Sequence, residues 1–394
     1  MKVLIIDPNI SASSPAMKGV VRSLPAWKAR GIETEVWCWN CDDNLPIDHV
    51  HKLPRVGAMP FLGGLFFSWL VSLRAWWQFE VRKISRPDVI YAVAWYYAGC
   101  DVAHVHFSPF DWENRQRTLG IHSLRDFVER ITNQIDLRRA RHCLRTTTAK
   151  LVLCVSEAVA GDMHAVNPRL AVKVLPNCYD PGRFHLGVRD QWRDVTRNAL
   201  NFEGSHQVFI FVSTGHYRRK GFFLAVEAMR RLRKTHPQAR LLVVGGRPER
   251  LLSLQREIGA DNEWITFTGA VPDVEKYFAA ADAFLFPSYS EAFALVEVEA
   301  AACGLPLFLT PHHGSEMILD EGVNGRLISF EPDEMAAVLA EFIDGRWKMR
   351  RASLKHAVDM TAYAGRLGDF LVQAAELRLS SAGHKFSNEV SLVS

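Results

Sequence analysis

Short apolar runs alternate along this chain with longer segments in which apolar residues recur every three or four positions. The runs have the length of buried strands, and the longer segments have the period of amphipathic helices. The runs occupy residues 3–6, 34–37, 89–93, 102–107 and 151–155 in the first half, and 208–212, 241–244, 265–267, 283–286 and 307–310 in the second. Nearly continuous apolar strands with helices between them predict parallel sheets covered on both faces.

The predicted fold class is α/β, with two doubly wound Rossmann-like domains facing a cleft. A chain of 394 residues exceeds one ordinary core. We place the junction in the polar segment 181–207, which has no clear period. The first domain then covers residues 1–185 with a returning helix at about 361–380, and the second covers 205–360. Ligands of such sheets bind beyond the carboxyl ends of the strands, so we expect a site in the cleft.

One segment breaks the alternation. Residues 56–73 carry no charge, and Arg74, Trp76, Trp77, Arg82 and Lys83 follow them. The helical part is too short to span about 30 Å of hydrocarbon. Two interpretations stay open, a helix packed within the first domain and an aromatic, basic-edged helix that lies on a membrane surface.

Net charge is only +4, but the basic residues are clustered at 138–145, 218–220 and 346–351. Such clusters suit phosphate groups or an anionic membrane surface. We expect no nucleic-acid partner, because the sequence contains no helix-turn-helix, zinc-finger or RNA-binding signature.

Cysteine usage and the start of the chain bear on location. The seven cysteines include one CxxC pair, Cys38 and Cys41, without a second pair, so we expect reduced thiols and no zinc. The opening MKVLIID favours a first buried strand over a secretory leader. The expected location is cytoplasmic, with a peripheral position at the inner face of the membrane left open.

A carboxylate-containing segment follows the strand at 283–286. Glu291 and Glu299 are separated by seven residues, and Gly304 and Pro306 form a helix stop. The predicted helix begins near residue 293 or 294 and ends near 303. Its first backbone N–H groups, around Phe293, Ala294 and Leu295, form an anion site of the kind that suits phosphate.

The positions of the glutamates suit the two sides of a diphosphate. Glu299 lies roughly 7 Å along the helix from its phosphate-binding end, and a carboxylate is a natural acceptor for two vicinal hydroxyls. Glu291, on the loop before the helix, would lie on the opposite side, near a sugar. Glu297 lies on another face, and we expect it to be solvated. The alternative is that both bracketing glutamates are solvated as well.

Several segments, in the same order, resemble one family. PSYSEAFALVEVEAAACGLP is similar to the signature of the retaining GT-B glycosyltransferases of family 4, the glycosyl transferases of group 1. LLVVGGRPE, ITFTGAVPDVEKYFAAADAFLFPS and GSEMILDEGVNGRLI resemble segments of the family's second domain. VLCVSEAVAGDM, KVLPNCYDPGRF and PDVIYAV resemble segments of its first. The resemblance covers most of the chain.

This resemblance implies a nucleotide-sugar donor, UDP- or GDP-linked, with no metal and no other cofactor. It implies that Glu299 holds the donor ribose, that Glu291 contacts the transferred sugar, and that Arg219 and Lys220 neutralise the diphosphate. The amides of Phe293, Ala294 and Leu295 would contact the diphosphate or the sugar. By this resemblance the first domain faces the acceptor and the second binds the donor.

The first domain supplies two further candidates. Ser14, followed by Pro15, takes the place of the family's Gly-Gly loop near the donor phosphate. The resemblance also implies a histidine near the reacting sugar. His104 and His106 share one face of a strand, and His106 is the candidate, with His104 as the alternative. A core or surface role for either histidine stays open.

The leading hypothesis is a retaining hexosyltransferase that acts on a glycan or lipid-linked saccharide in bacterial surface polysaccharide or lipopolysaccharide synthesis. Two alternatives remain. The first is a GT-B nucleotide-sugar hydrolase or epimerase, which would form product without an acceptor. The second is a non-catalytic nucleotide-binding protein, which would bind the donor and leave it unchanged.

Overall fold

The computed structural model describes residues 1–55, 63–119, 124–350, 354 and 356–390. The chain forms two compact units. One comprises Met1–Cys178 together with the chain from Met360 onward, and the other comprises Tyr179–Asp359. The chain passes from one unit to the other at two short strands, Cys178–Tyr179 and Val358–Asp359. The segment 181–207, where we expected the junction, lies within the second unit instead and contains a helix.

A seven-stranded parallel sheet forms the core of the first unit. Its strands are β1 (Lys2–Ile6), β2 (Glu33–Cys38), β3 (His49–Lys52), β4 (Val89–Val93), β5 (Val102–Val105), β6 (Leu151–Cys154) and β7 (Val172–Val174). Their order is β3-β2-β1-β4-β5-β6-β7, and neighbours run parallel. A small second pair joins Asn9–Ile10 to Asn40–Cys41. Every residue of β4 is buried, as expected of a strand covered on both faces.

Helices cover this sheet. They are α1 (Lys18–Ala29), α2 (Gly63–Ala75), α3 (Pro109–Leu119), α4 (Leu124–Thr146), α5 (Glu157–Val166) and a C-terminal helix (Met360–Val390). The C-terminal helix, expected at about 361–380, packs against α1. Trp27 Nε1 donates to the Ala364 carbonyl at 3.3 Å. A Cβ at Gly19 would lie 2.6 Å from the Tyr363 ring, so the small residue permits this close packing.

Helix α2 has one packed face and one exposed face. Phe67 and Val71 are buried, and the Phe67 ring lies edge-on to Trp39 at 5.1 Å. On the other face Trp69 is 58% exposed. The helix continues as a π-helical segment, Trp76–Val81. The part of the uncharged run at 56–62 lies outside the described residues. Among the helices that are described, none is long and apolar enough to cross a bilayer.

The second unit contains a six-stranded parallel sheet. Its strands are β8 (Gln207–Val212), β9 (Ala239–Val244), β10 (Ile265–Gly269), β11 (Ala283–Phe286), β12 (Leu307–Leu309) and β13 (Gly325–Leu327). Their order is β10-β9-β8-β11-β12-β13. The strand order therefore reverses between β8 and β11, and the carboxyl ends of these two strands form the usual ligand-binding point of such a sheet.

In the described part of this unit, seven helices accompany the sheet. They are α6 (Val188–Ala199), α7 (Phe222–Leu232), α8 (Pro248–Ile258), α9 (Val274–Ala280), α10 (Leu295–Ala302), α11 (Ser315–Ile318) and α12 (Pro332–Ile343), with a 3₁₀ turn at Gly259–Glu263. All ten predicted strands are present, with ends that differ by at most two residues, and the doubly wound α/β prediction is confirmed.

Helix α6 attaches to the second unit through arginines rather than an apolar stripe. Arg193 Nη2 and Arg197 Nη1 lie 2.6 and 3.3 Å from the carboxylate oxygens of Asp282. The same carboxylate accepts the backbone N–H of Val208 at 2.8 Å. Arg197 also donates to the Ala280 carbonyl at 3.1 Å. One acidic residue therefore joins α6, the start of β11 and the start of β8.

We expect Asp282→Asn to lower the free energy of unfolding by about 3 kcal/mol, because it leaves partly buried guanidinium groups without their carboxylate. Urea unfolding followed by circular dichroism measures the change. Glu257→Gln is the control, since its ion pair with Arg218 is exposed and surface pairs contribute little. Equal effects of the two substitutions would contradict the role of Asp282.

Candidate active site

Two loops meet at the carboxyl ends of β8 and β11. The backbone N–H of Tyr289 donates to the Arg219 carbonyl at 2.9 Å. Gly221 has φ of +75°, and a Cβ there would lie 1.9 Å from the Pro287 carbonyl oxygen. No larger residue fits at this position without moving one of the loops. The fold therefore fixes the loop that carries the basic pair against the loop that carries Glu291.

The side chains complete this contact. Arg219 Nη1 donates to the Ser290 carbonyl at 2.9 Å. Lys220 Nζ lies 3.3 Å from Glu291 Oε1, and its charge lies over the Phe286 ring at 5.0 Å. Both ends of the ion pair are mostly buried, at 17% and 11% exposed. The structure thus brings together three of the residues singled out in the sequence, Arg219, Lys220 and Glu291.

The charges set the protonation state of Glu291. Burial alone would raise the pKa of its carboxyl group, but the charges of Lys220 and Arg219 outweigh burial and hold the pKa below its usual value. Ser288 Oγ also donates to Glu291 Oε1, at 3.3 Å. Glu291 is therefore a carboxylate at neutral pH, and its oxygens are hydrogen-bond acceptors.

Helix α10 begins at Leu295, one or two residues later than predicted, and ends at Ala302. Ala294 occupies the N-cap position, and its methyl side chain forms no capping hydrogen bond. Phe293 and Ala294 are buried in the turn before it. The anion site that the sequence predicts would lie at this first turn of α10, which begins four residues after Glu291, and it stays a prediction.

Glu299 lies one turn into α10 and is 5% exposed. Its charge is among the causes that raise the pKa of Arg183, after the larger effect of Glu275. Arg183 Nη2 lies 2.5 Å from Glu275 and 2.7 Å from the Pro272 carbonyl. The structure therefore places Glu299 near an arginine that the sequence did not single out, next to the loop after β10.

Glu297 is not solvated, and the prediction for this residue was wrong. Its side chain is fully buried, and its Oε1 lies 2.7 Å from His312 Nε2. Spacing indicated only that Glu297 faces away from Glu299; it did not indicate that a histidine fifteen residues later covers that face.

In the first unit, His104 lies on β5, whereas His106 follows the end of the strand, which is two residues shorter than predicted. The rings of His104 and His106 lie 4.0 Å apart. The His104 Nδ1 is 2.6 Å from the Tyr91 hydroxyl, inside the sheet. Burial lowers the pKa of His106 to about 4, so its ring is neutral at physiological pH. His104 therefore has a core partner, whereas His106 follows the end of β5 and remains the candidate.

Ser14 lies in the turn that leads into α1. Its carbonyl accepts the backbone N–H groups of Met17 and Lys18 at 3.1 and 2.8 Å. Contact of Ser14 with a substrate stays a prediction. Within the described ranges, no three His, Cys, Asp or Glu side chains are grouped so that they could hold a metal ion. A metal-free reaction likewise stays a prediction.

Two family models match different parts of the chain, and both describe glycosyltransferases. Residues 206–344 match the model for glycosyl transferases group 1, and residues 19–183 match the model for glycosyltransferase family 4. The chain is 32% identical over 208 residues to the D-inositol 3-phosphate glycosyltransferase of Segniliparus rotundus, covering 49% of this chain and 44% of the relative. For the same enzyme of Corynebacterium jeikeium the identity is 31% over 231 residues, with 55% and 54% covered. The matches span about half the length of these relatives.

Solved structures share the fold at low sequence identity. WaaG, a glycosyltransferase involved in lipopolysaccharide biosynthesis, aligns with a TM-score of 0.73 at 18% identity, covering 94% of this chain and 99% of WaaG. Anabaena Alr3699/HepE in complex with UDP-glucose aligns at 0.63 with 20% identity, covering 97% and 100%. Together these matches establish the GT-B fold.

We expect Lys220→Met to destabilise the protein by about 1–3 kcal/mol at pH 7, because Glu291 then lies buried without its nearest cation. In the wild type the pKa of Glu291 is lower in the folded than in the unfolded state. This stabilises the fold at pH values above the ordinary pKa of a glutamate, and the contribution is lost as the pH falls through the folded-state pKa. In the variant, burial raises the pKa, so protonation of Glu291 restores stability as the pH falls. The difference between the two proteins should therefore shrink between pH 7 and pH 4.

Urea unfolding across this pH range measures that difference. Lys234→Met, at an exposed position, is the control and should leave both stability and its pH dependence unchanged. A Lys220→Met deficit that is constant with pH would mean that Lys220 does not act through the Glu291 charge.

Proposed function

Because the chain belongs to the group 1 glycosyltransferases of family 4, we propose that it transfers a sugar from a UDP- or GDP-sugar to a saccharide acceptor with retention of anomeric configuration. The observation that carries this proposal is the mostly buried Lys220–Glu291 pair at the strand-order reversal, beside the start of α10, whose N-cap residue is an alanine. In one place it combines cations, helix amides and an ionised carboxylate.

The chemistry requires this combination. When the bond between the sugar and the diphosphate breaks, negative charge develops on the leaving nucleoside diphosphate. Arg219 and Lys220 are held by the Ser290 carbonyl and by Glu291, so their charges are in position before the reaction. Fixed cations stabilise the developing charge more than the ground state, which lowers the barrier. We assign these two residues and the α10 amides to the diphosphate, and we propose that no metal is required.

The remaining residues take roles on either side of the diphosphate. We assign Glu299 to the donor ribose, because it is an acceptor one turn along α10, roughly 6 Å from its start. Glu291 is assigned to hydroxyls of the transferred sugar. His106, neutral at physiological pH, is assigned to the reacting sugar, and Ser14 to the substrate. These four roles extend the resemblance noted in the sequence.

The acceptor class that we propose is a glycan or lipid-linked saccharide of the bacterial surface. WaaG, which has the same fold, is involved in lipopolysaccharide biosynthesis. An acceptor of this kind would be presented at a membrane, and the surface of the first unit has features that suit one.

Helix α2 and its π-helical continuation expose an apolar stripe that contains three tryptophans. The exposed side chains are Trp69, Leu73, Trp76, Trp77 and Val81. Their spacing places them along one side of the helix, opposite the buried Phe67 and Val71. On the neighbouring helix α4, which contacts α2 through Arg139 and Ser68, Phe127 and Ile131 are exposed, and Arg138, Arg141 and Arg145 are exposed after them.

We propose that this surface binds the anionic inner face of a membrane. Tryptophans suit the interface between headgroups and hydrocarbon, and arginines attract anionic lipids. Separately exposed apolar side chains are common, but a stripe of five is typical of an interaction site. The location that we propose is therefore cytoplasmic and peripheral to the membrane.

The donor reaction tests the catalytic proposal. We expect a panel of UDP- and GDP-sugars, incubated with lipid-linked saccharide, to yield a glycosylated product that keeps the donor's anomeric configuration by NMR, with or without chelator. Glu299→Ala should weaken donor binding by about 1.5–3 kcal/mol in calorimetry, the value of hydrogen bonds to a charged group. The fold should be intact by circular dichroism.

Glu334→Ala is the control, since Glu334 is an exposed carboxylate in the first turn of α12. Sugar released to water with no transfer to any acceptor would identify a hydrolase. Donor binding without turnover would identify a nucleotide-binding protein. Unchanged binding in Glu299→Ala would remove this residue from the ribose.

Vesicle co-sedimentation tests the membrane proposal. We expect binding to phosphatidylglycerol vesicles at low salt, weaker binding at high salt, and little binding to phosphatidylcholine. Trp76→Ser with Trp77→Ser should reduce binding by about tenfold or more, because it removes apolar surface buried in the interface. Leu252→Ser, at an exposed apolar position of the second unit, should leave it unchanged. Wild-type protein that ignores anionic vesicles at low salt would contradict the proposal.

A further inference from the structure

A buried carboxyl–imidazole pair lies at the first turn of α10. Glu297 is the third residue of this helix, and His312 lies in the loop between β12 and α11. His312 Nε2 is 2.7 Å from Glu297 Oε1, and both side chains are completely buried. None of the roles assigned above uses this pair, although it is next to the first turn that we assign to the diphosphate.

The histidine is held firmly. The His312 backbone N–H donates to Ser315 Oγ at 3.3 Å, and Ser315 Oγ donates to the His312 carbonyl at 2.7 Å. Its ring lies edge-on to Phe286, at the end of β11, at 6.3 Å. A Cβ at Gly314 would lie 2.7 Å from the Phe293 Cα, so this loop also packs against the turn before α10. The pair therefore joins α10 to the loop after β12.

Each member of the pair depends on the other. In the part of the chain that the structure describes, Glu297 Oε2 and His312 Nδ1 have no hydrogen-bond partner. A buried charge without a partner is costly. The proton shared between Glu297 Oε1 and His312 Nε2 forms the hydrogen bond between the two side chains, so its loss would be unfavourable.

Further charges face the pair from the elements around it. Glu297 is exposed to the charges of Glu291 and Lys220 from the loops after β11 and β8, and His312 to those of Glu291 and of Glu316 on α11. Burial raises the pKa of Glu297 despite His312. Burial would lower the pKa of His312, but Glu297 and the other carboxylates raise it. Because the two groups share one hydrogen bond and act on each other's pKa in opposite directions, the pair titrates as a unit.

We propose that the Glu297–His312 pair is a proton-binding positioning device for the donor site, which takes up a proton from solvent when the anionic diphosphate binds at α10 and releases it when the diphosphate leaves. The inference rests on the proposed function, since it needs a diphosphate at the first turn of α10. An added negative charge there favours the more protonated state of the pair beside it. In turn the proton adds positive charge near the ligand, so pH and donor affinity are linked.

Calorimetry of donor binding tests the linkage. UDP-glucose and GDP-mannose are suitable probes, because a doubly esterified diphosphate has no group that titrates near neutral pH. Binding heats in buffers of different ionisation enthalpy give the number of protons taken up. We expect net uptake between pH 7 and pH 8, where the bases of the probes do not ionise, with Kd rising by up to about tenfold per pH unit, the limit for one proton.

Two variants isolate the pair. His312→Asn keeps a hydrogen-bond donor but cannot bind the proton, and Glu297→Gln keeps an acceptor but removes the charge that holds the proton on His312. Each should raise Kd at pH 7, flatten its pH dependence and abolish proton uptake. His236→Asn is the control, because His236 pairs with Asp344 at the surface of the same unit and should leave uptake unchanged.

The outcomes separate this inference from the proposed function. Donor binding without proton uptake in the wild type, or the same uptake in His312→Asn, would overturn the role of the pair and leave the transferase proposal standing. If the pair had only a structural role, its substitution would weaken donor binding equally at every pH. If no UDP- or GDP-sugar of the panel binds the wild-type protein at any pH, the proposed function and this inference both fail.

Discussion

The candidate site depends on the close approach of two loops, those after β8 and β11. The strand order places them side by side, and Gly221 permits contact because a Cβ there would overlap the Pro287 carbonyl. Once the loops touch, Lys220 and Glu291 lie within ion-pair distance, and neither charge remains alone in a mostly buried setting. The apolar strands therefore determine where the charges meet, and the charges in turn hold the loops together.

Much of the fold could be predicted because the buried strands are apolar on both faces. Three strands at sheet edges, β3, β7 and β13, were missed for the converse reason. They are short and partly or mostly exposed, with His51, Lys173 and Arg326 among their residues, so none carries the apolar signal of a central strand. Helix α6 was missed because its docking residues are Arg193 and Arg197, which contribute hydrogen bonds and no hydrophobic period.

The grouping of candidate residues was predictable where they follow one another in the chain. Glu291, the turn before α10 and Glu299 belong to one segment, so spacing and the resemblance to a family were sufficient to select them as candidates. Partners that come from distant segments were not predictable. Glu297 and His312 meet because β11 and β12 are parallel neighbours, so the segments that follow them start at the same end of the sheet. Arg183, which precedes α6 in the chain, pairs with Glu275 and lies near Glu299. The spacing of the glutamates gives no indication of this arginine.

The arrangement implies that stability and chemistry cannot be separated at Glu291. Its carboxylate offsets the partly buried charge of Lys220, which makes it a structural partner, and its remaining hydrogen-bonding capacity is what a sugar would use. A fixed cation stabilises charge that develops in a reaction because it does not have to move, and it stays fixed because a carboxylate holds it. Removing Glu291 would therefore leave Lys220 both uncompensated and mobile. Loss of activity in such a variant would report on the cation as much as on the carboxylate, so the two contributions separate only when Lys220 is substituted in the same background.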